Sequence, residues 1–313
     1  MILADLLDGK TKSTWEIAKQ CGVKYAVIRL PEKDFDVTSF SDMKTYYEQF
    51  TSFGITPIII EPMPNHLHEH IKRGDEKRDE CIEKVCGMIP ILDKLNIRTI
   101  CFNWMAYIGW LRTSKDITER GGATVTGFDW RDFKETTQKI TAKELWDNYE
   151  YFIRAVIPYC EKYGIKLALH PDDPPLPSIG NTERIMISYE NIKKAMNIIK
   201  SSNLGVTFCQ ATYHMMGGNL YAIIPELKEK IFFVHFRNST GNKYCFRETF
   251  HDNGDIEMGK ILRFYCEQGI DVPIRVDHVP TMVGENVGLA GYGDLGRYFA
   301  IGYLKGLLEA TNV

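Results

Sequence analysis

The chain has 313 residues, 44% of them hydrophobic and 25% charged, an ordinary globular composition with enough apolar residues to bury a large core. A formal net charge of −3 supplies neither the basic footprint of a nucleic-acid binder nor the polybasic segment of a membrane-surface protein. These exclusions leave a small molecule as the expected partner, and they leave a homo-oligomer open.

The first residues, MILADLLDGK, place Asp5 and Asp8 inside a short apolar stretch, which argues against a signal peptide. No uninterrupted apolar run is long enough to span a bilayer, so the expected location is the cytoplasm. Short runs rich in β-branched and aromatic residues then predict strands at 2–6, 24–30, 56–61, 98–103, 165–170, 204–208, 231–237 and 273–277. Between them, helical periodicity predicts helices at 13–22, 40–53, 75–95, 141–163, 189–201, 220–230, 256–269 and 294–311. Ser13 with Glu16 and Thr141 with Glu144 have the spacing of capping boxes, and Gly54 and Gly164 stand where a helix must stop. The eight cysteines lie mostly within these patterns and are expected as free thiols, because a core this large needs no disulfide framework.

Eight near-continuous apolar strands alternating with helices predict a parallel sheet covered on both faces and closed into a (β/α)8 TIM barrel, one domain over 1–313. An open doubly wound sheet would usually carry a glycine-rich phosphate loop, and no G-x-G-x-x-G follows any of these strands. The long polar stretch 113–140 interrupts the rhythm. Its middle alternates like a hairpin and is expected to form an excursion over the barrel mouth.

Parallel barrel strands all point one way, so residues far apart in sequence meet at their C-terminal ends. His170, Cys209, His235 and Asp277 end the fifth to eighth strands, and imidazole, thiolate and carboxylate are all ligands of divalent transition metals. Singly, each of these types is more often packing or a cap than a ligand. Four in equivalent positions are a different matter. Their spacing is wrong for a local zinc knuckle. Glu61 ends the third strand and is expected to line the same pocket, whereas His66, His68 and His70 in PNHLHEHIKRG read as a solvated loop.

The stretches HPDDPP at 170–175, TFCQATY at 207–213, FVHFRN at 233–238, FRETFHDNGDIEM at 246–258, DH at 277–278 and GYGDLGRYFAIGYLKGL at 291–307 resemble the mannonate dehydratase family. IEPMP and CFNWMAYIGWLRT resemble its third and fourth strand ends more thinly, and the chain before 56 does so weakly. The resemblance implies a xylose-isomerase-like barrel that removes water from D-mannonate, or a related aldonate, to give 2-keto-3-deoxy-D-gluconate in hexuronate breakdown. It also implies His170, Cys209, His235 and Asp277 as metal ligands, His278 and Tyr292 as the acid/base pair with the two roles unassigned, and manganese as the ion, with ferrous iron as the alternative. The chemistry is consistent with such a set. Removing a proton beside a carboxylate adds a second negative charge that a cation must offset, and a hydroxyl leaves only when it is protonated. Arg237, Asn238, Arg29, Asn103 and Asp172 are the expected substrate contacts.

The chain departs from the family pattern at several positions. Its second strand runs VIRLPEKDF where the family has a His-His run, so that Arg29 takes that place; Gly109 stands where an acid is usual; and RVDHVP carries Val276 and Val279 in place of the usual residues. These differences are expected to alter the substrate wall, which keeps a second reading open: a metal-dependent sugar or sugar-acid isomerase or epimerase on the same barrel. A non-catalytic sugar- or metal-binding protein is a third.

Overall fold

The computed structural model describes residues 1–9, 12–134, 136–285 and 290–311. Eight parallel strands close into a barrel in chain order: β1 (Ile2–Leu7), β2 (Tyr25–Ile28), β3 (Thr56–Ile60), β4 (Thr99–Phe102), β5 (Lys166–Leu169), β6 (Leu204–Cys209), β7 (Ile231–Phe236) and β8 (Pro273–Val276). Pairing of β1 with both β2 and β8 completes the ring. Each strand coincides with one read from the sequence, to within a residue or two.

The strands are apolar along most of their length because both faces are covered. One set of side chains, among them Ile28, Ile60, Ile100, Phe102, Leu167, Val206, Phe208, Val234 and Ile274, packs into the main core that also holds the helices. The alternate set is a smaller cluster inside the barrel: Ala4, Val27, Ile59, Cys101 and Phe233. Burying one such aliphatic or aromatic side chain stabilises the fold by about 1.5–3 kcal/mol. Two residues beyond each member of the inner cluster, and so on the same side of its strand, come Leu6, Arg29, Glu61, Asn103 and His235. The floor of the barrel is therefore apolar and its mouth polar.

Helix ends follow local chemistry where the sequence signals it. The helix Ala142–Tyr163 starts with the full Thr141–Glu144 capping box, and Gly164 leaves it at φ 65°. Gly54 ends Phe40–Phe53 at φ 87°, a left-handed conformation that a side chain would strain. Two expectations fail. Ser13 lies inside the helix Lys12–Gln20 rather than ahead of it. The histidine stretch is no loop but the helix Asn65–Arg73, which begins at Pro64 with no side-chain cap to announce it. Residues two apart on a helix face different ways, so the three histidines separate: His66 is exposed, His70 pairs with Asp75, and His68 is fully buried. A short helix, Gln210–Met215, also follows β6 directly.

The 113–140 excursion does contain a hairpin, Ser114–Thr118 against Thr124–Asp129. A second hairpin, Ser239–Asn242 against Cys245–Glu248, leaves the end of β7 and joins it edge to edge, giving a four-stranded antiparallel sheet. A bridge from Thr124 to Thr281 ties this sheet to the segment beyond β8, so it sits against the C-terminal mouth of the barrel. Among the described residues no helix is long and apolar enough to cross a membrane.

Candidate active site

At that mouth lies a cavity of about 150 Å³ lined by Arg29, Glu61, Asn103, Trp110, His170, Asp173, His235, Arg275, Asp277, His278 and Tyr292, among others. Ligating atoms of His170, Cys209 and His235 lie within 4.8 Å of one another. His170 Nδ1 is 2.6 Å from the Pro171 carbonyl, which accepts its proton and leaves Nε2 for the Cys209 sulfur. His235 Nε2 is 3.0 Å from Glu61 Oε1 and Nδ1 is 3.5 Å from Asp277 Oδ2, yet neither contact is aligned as a hydrogen bond. Two buried ring nitrogens without a hydrogen-bond partner are costly unless something else binds them.

Cys209 is fully buried, and burial alone would push its thiol up. The Arg237 guanidinium and the hydrogen bond with His170 overcome that and hold it well below the usual thiol range. Arg237 Nε donates to Sγ at 3.1 Å and the Thr212 hydroxyl donates at 3.2 Å. Against the opposing effect of burial, His170 is raised to about 9 by that same sulfur. On the far side, Arg275 donates to both oxygens of Glu61 at 2.8 and 2.9 Å and to Asp277 Oδ1 at 2.8 Å, which keeps both carboxyls ionised in spite of burial.

A second buried network adjoins the first. Arg112 donates to both Asp173 oxygens at 2.7 and 3.0 Å and also pairs with Glu248; Arg237 reaches Asp173 at 2.6 Å and Glu248 at 2.7 and 2.9 Å. Glu248 in turn accepts from His278 Nδ1 at 2.9 Å. The Tyr292 hydroxyl donates to Asp277 Oδ1 at 3.4 Å, and its ring stands edge-on to His278 with centroids 5.5 Å apart. Two imidazoles and a thiolate converge, and both buried ring nitrogens of His235 lack hydrogen-bond partners, a donor set that fits a divalent transition metal; Asp277 stands beside it, with Oδ2 3.5 Å from His235 Nδ1.

The family model described as D-mannonate dehydratase (UxuA) matches residues 8–141 and 130–313. The chain belongs to that family. It is 30% identical over 291 residues to a mannonate dehydratase of Streptococcus equi subsp. zooepidemicus, covering 82% of this chain and 79% of the relative. The crystal structure of mannonate dehydratase from Streptococcus suis serotype 2 superposes with a TM-score of 0.90 at 27% identity, over 99% of this chain and 95% of that one. A xylose isomerase domain protein from Planctomyces limnophilus, at 10% identity and a TM-score of 0.63, shares the fold. The protein is thus a hydro-lyase of the mannonate dehydratase family on a xylose-isomerase-like TIM barrel.

For this dehydratase, the residues expected at the site divide into two groups. His170, His235, Asp277, His278, Tyr292, Arg29 and Asn103 line the cavity, with Cys209 buried beside the two histidines. Arg237, Asn238 and Asp172 do not line it. Arg237 is fully committed to Cys209, Thr212, Asp173 and Glu248. The Asn238 amide holds the His251 and Ile256 carbonyls and accepts from Ser239 and Ile256, while Asp172 caps the amides of Ile185 and Met186. The neighbouring Asp173 reaches the cavity in place of Asp172. Nor do all the departures from the family pattern touch the wall: Val276 and Val279 are buried in the main core, and Gly109 is exposed away from the cavity. Glu248, Arg112, Arg275 and Trp110 were not singled out in the sequence. Arg112 and Trp110 stand in the quoted YIGWLRT run and Glu248 in FRETFHDNGDIEM, but only their long-range contacts give them a part in the site.

Proposed function

We propose that this cavity dehydrates D-mannonate, with His170, Cys209, His235 and Asp277 holding Mn2+, or Fe2+ in its place. The observation carrying the reading is that His170, Cys209 and His235 converge at the wall of the cavity that His278 and Tyr292 also line. When bound, the cation would offset the negative charge that develops beside the substrate carboxylate. His278 takes the proton from C2. Its Nδ1 proton is held by an acceptor-only carboxylate, so Nε2 carries the free lone pair. Tyr292, whose ionisation is pushed up by burial and by the Asp277 charge, keeps its proton at neutral pH and gives it to the departing C3 hydroxyl. The C3–O bond breaks as the C2 electron pair forms the enol, which ketonises to the 2-keto-3-deoxy acid. Arg29 and Asn103 hold the rest of the substrate.

Metal-free protein reloaded with Mn2+ and then with Fe2+, followed by proton NMR on D-mannonate, D-gluconate and D-altronate, tests this. The expected outcome is metal-dependent growth of deoxy-methylene signals, fastest on D-mannonate. All three acids unchanged beside a stoichiometrically bound metal would overturn the reading and direct the search to epimerase and isomerase substrates.

A further inference from the structure

We infer that Glu248 is the positioning carboxylate of His278, delivered to the barrel by the antiparallel sheet, and that it fixes the imidazole with its proton on Nδ1 and Nε2 free toward the cavity. This rests on the proposed role of His278 as the base.

Glu248 ends the strand Cys245–Glu248 and is 1% exposed. An ionised carboxylate can only accept, so Nδ1, the ring nitrogen that faces it, must carry the proton. The distances select Glu248 over the neighbouring acid: Nδ1 to Glu248 Oε1 is 2.9 Å, while Nε2 to Asp277 Oδ1 is 3.8 Å. The ring is also clamped. Trp110 lies at a centroid distance of 5.0 Å and Tyr292 at 5.5 Å. The backbone of His278 sits at φ 37°, a left-handed conformation that a β-substituted residue keeps only where its surroundings impose it. The same carboxylate grips Arg237, whose Nε donates to Cys209 Sγ. One side chain therefore orients the base and, through one arginine, the sulfur ligand. Nothing in the barrel strands supplies this group.

The experiment uses the Mn2+-loaded protein with Glu248→Gln, His278→Asn and the double variant, each checked for metal stoichiometry. Glu248→Gln is expected to lower kcat on D-mannonate by about 100-fold or more with KM within about threefold, because an amide no longer enforces one tautomer. At equal metal occupancy the double variant should be no slower than His278→Asn alone, since with the metal site intact Glu248 acts on turnover through His278. Independently of turnover, 15N NMR of labelled histidine should show the Nδ1–H tautomer for His278 in the unmodified chain and a mixture in Glu248→Gln. Should Glu248→Gln fail to fold or to hold metal, Glu248→Asp, which keeps the charge but withdraws it from Nδ1, is expected to bind Mn2+ fully and still turn over more slowly. Near-normal kcat in Glu248→Gln, an additive further loss in the double variant, or an Nε2–H tautomer in the unmodified chain would each overturn the inference. A His278→Asn variant as fast as the unmodified chain would overturn the base assignment beneath it, an outcome the other variants distinguish.

Discussion

The two sides of the barrel mouth are built on different terms. From β5 round to β8 nearly every polar group answers another: Arg237 binds Cys209, Asp173 and Glu248, Arg112 binds Asp173 and Glu248, and Arg275 joins Asp277 to Glu61 across the ring. At the end of β2 the mouth is open. Arg29 is exposed, lines the cavity, and among the described residues its guanidinium makes no hydrogen bond or ion pair. The closed side holds the proposed ligands and the proposed acid/base pair; the open side holds Arg29. A closed network transmits any loss to all of its members, whereas an unpaired cation facing a cavity can change with the ligand it meets. On the proposed function, the closed side would set the reaction and the open side would select the acid.

That division can be broken experimentally. Cys209→Ser, on the closed side, carries the largest expected effect: Mn2+ affinity and turnover both fall by more than about 100-fold while the circular dichroism spectrum is retained. Unchanged metal affinity by titration calorimetry would remove Cys209 from the ligand set. Arg29→Ala, on the open side, should instead raise KM about 10- to 100-fold, the worth of a charge-assisted hydrogen bond, with kcat within about threefold. An equal fall in kcat and kcat/KM would place Arg29 in the reaction rather than in binding, and the two sides would no longer be distinct.

The smallest effect lies outside both. His68 is buried among Phe102, Trp104 and Phe152, and burial, reinforced by the Lys72 charge, holds its ionisation well below the usual value of 6.5. The unfolded chain takes up a proton below that pH and the folded chain does not, so this site's contribution is complete above pH 6.5 and lost as the pH falls, at up to about 1.4 kcal/mol per pH unit. His68→Leu should show a shallower decline of urea-unfolding free energy between pH 6.5 and 5 with kcat/KM at neutral pH unchanged. An identical slope would mean that His68 titrates normally in the folded chain.

The barrel was legible because its signal is redundant. A strand such as Ile231–Phe236 is buried along its whole length, and eight such runs separated by helices admit few closures. The four ligand candidates stood out for the same reason: each stands at or beside a strand end, and the fold draws three of them, His170, Cys209 and His235, together. What escaped depended on contacts rather than on periodicity. The helix Asn65–Arg73 starts at a proline without a polar cap, so alternating histidines read as loop. The hairpin Ser239–Glu248 is too short and polar to announce itself, and part of its pairing is with a strand from the 113–140 excursion. Arg237, two residues beyond His235, was expected to touch the substrate. Its use was misread, because alternation gives a direction and not the carboxylates waiting there.

The antiparallel sheet has a consequence in time as well as in space. Arg112 and Glu248 are 136 residues apart in the chain, and their pairing accompanies the joining of the two hairpins. Most barrel strands pair with the next strand in the chain, whereas this contact, like the closure of β1 onto β8, joins distant stretches, an entropically expensive event. Restored activity during refolding is therefore expected to require the docking of the sheet as well as the closure of the barrel.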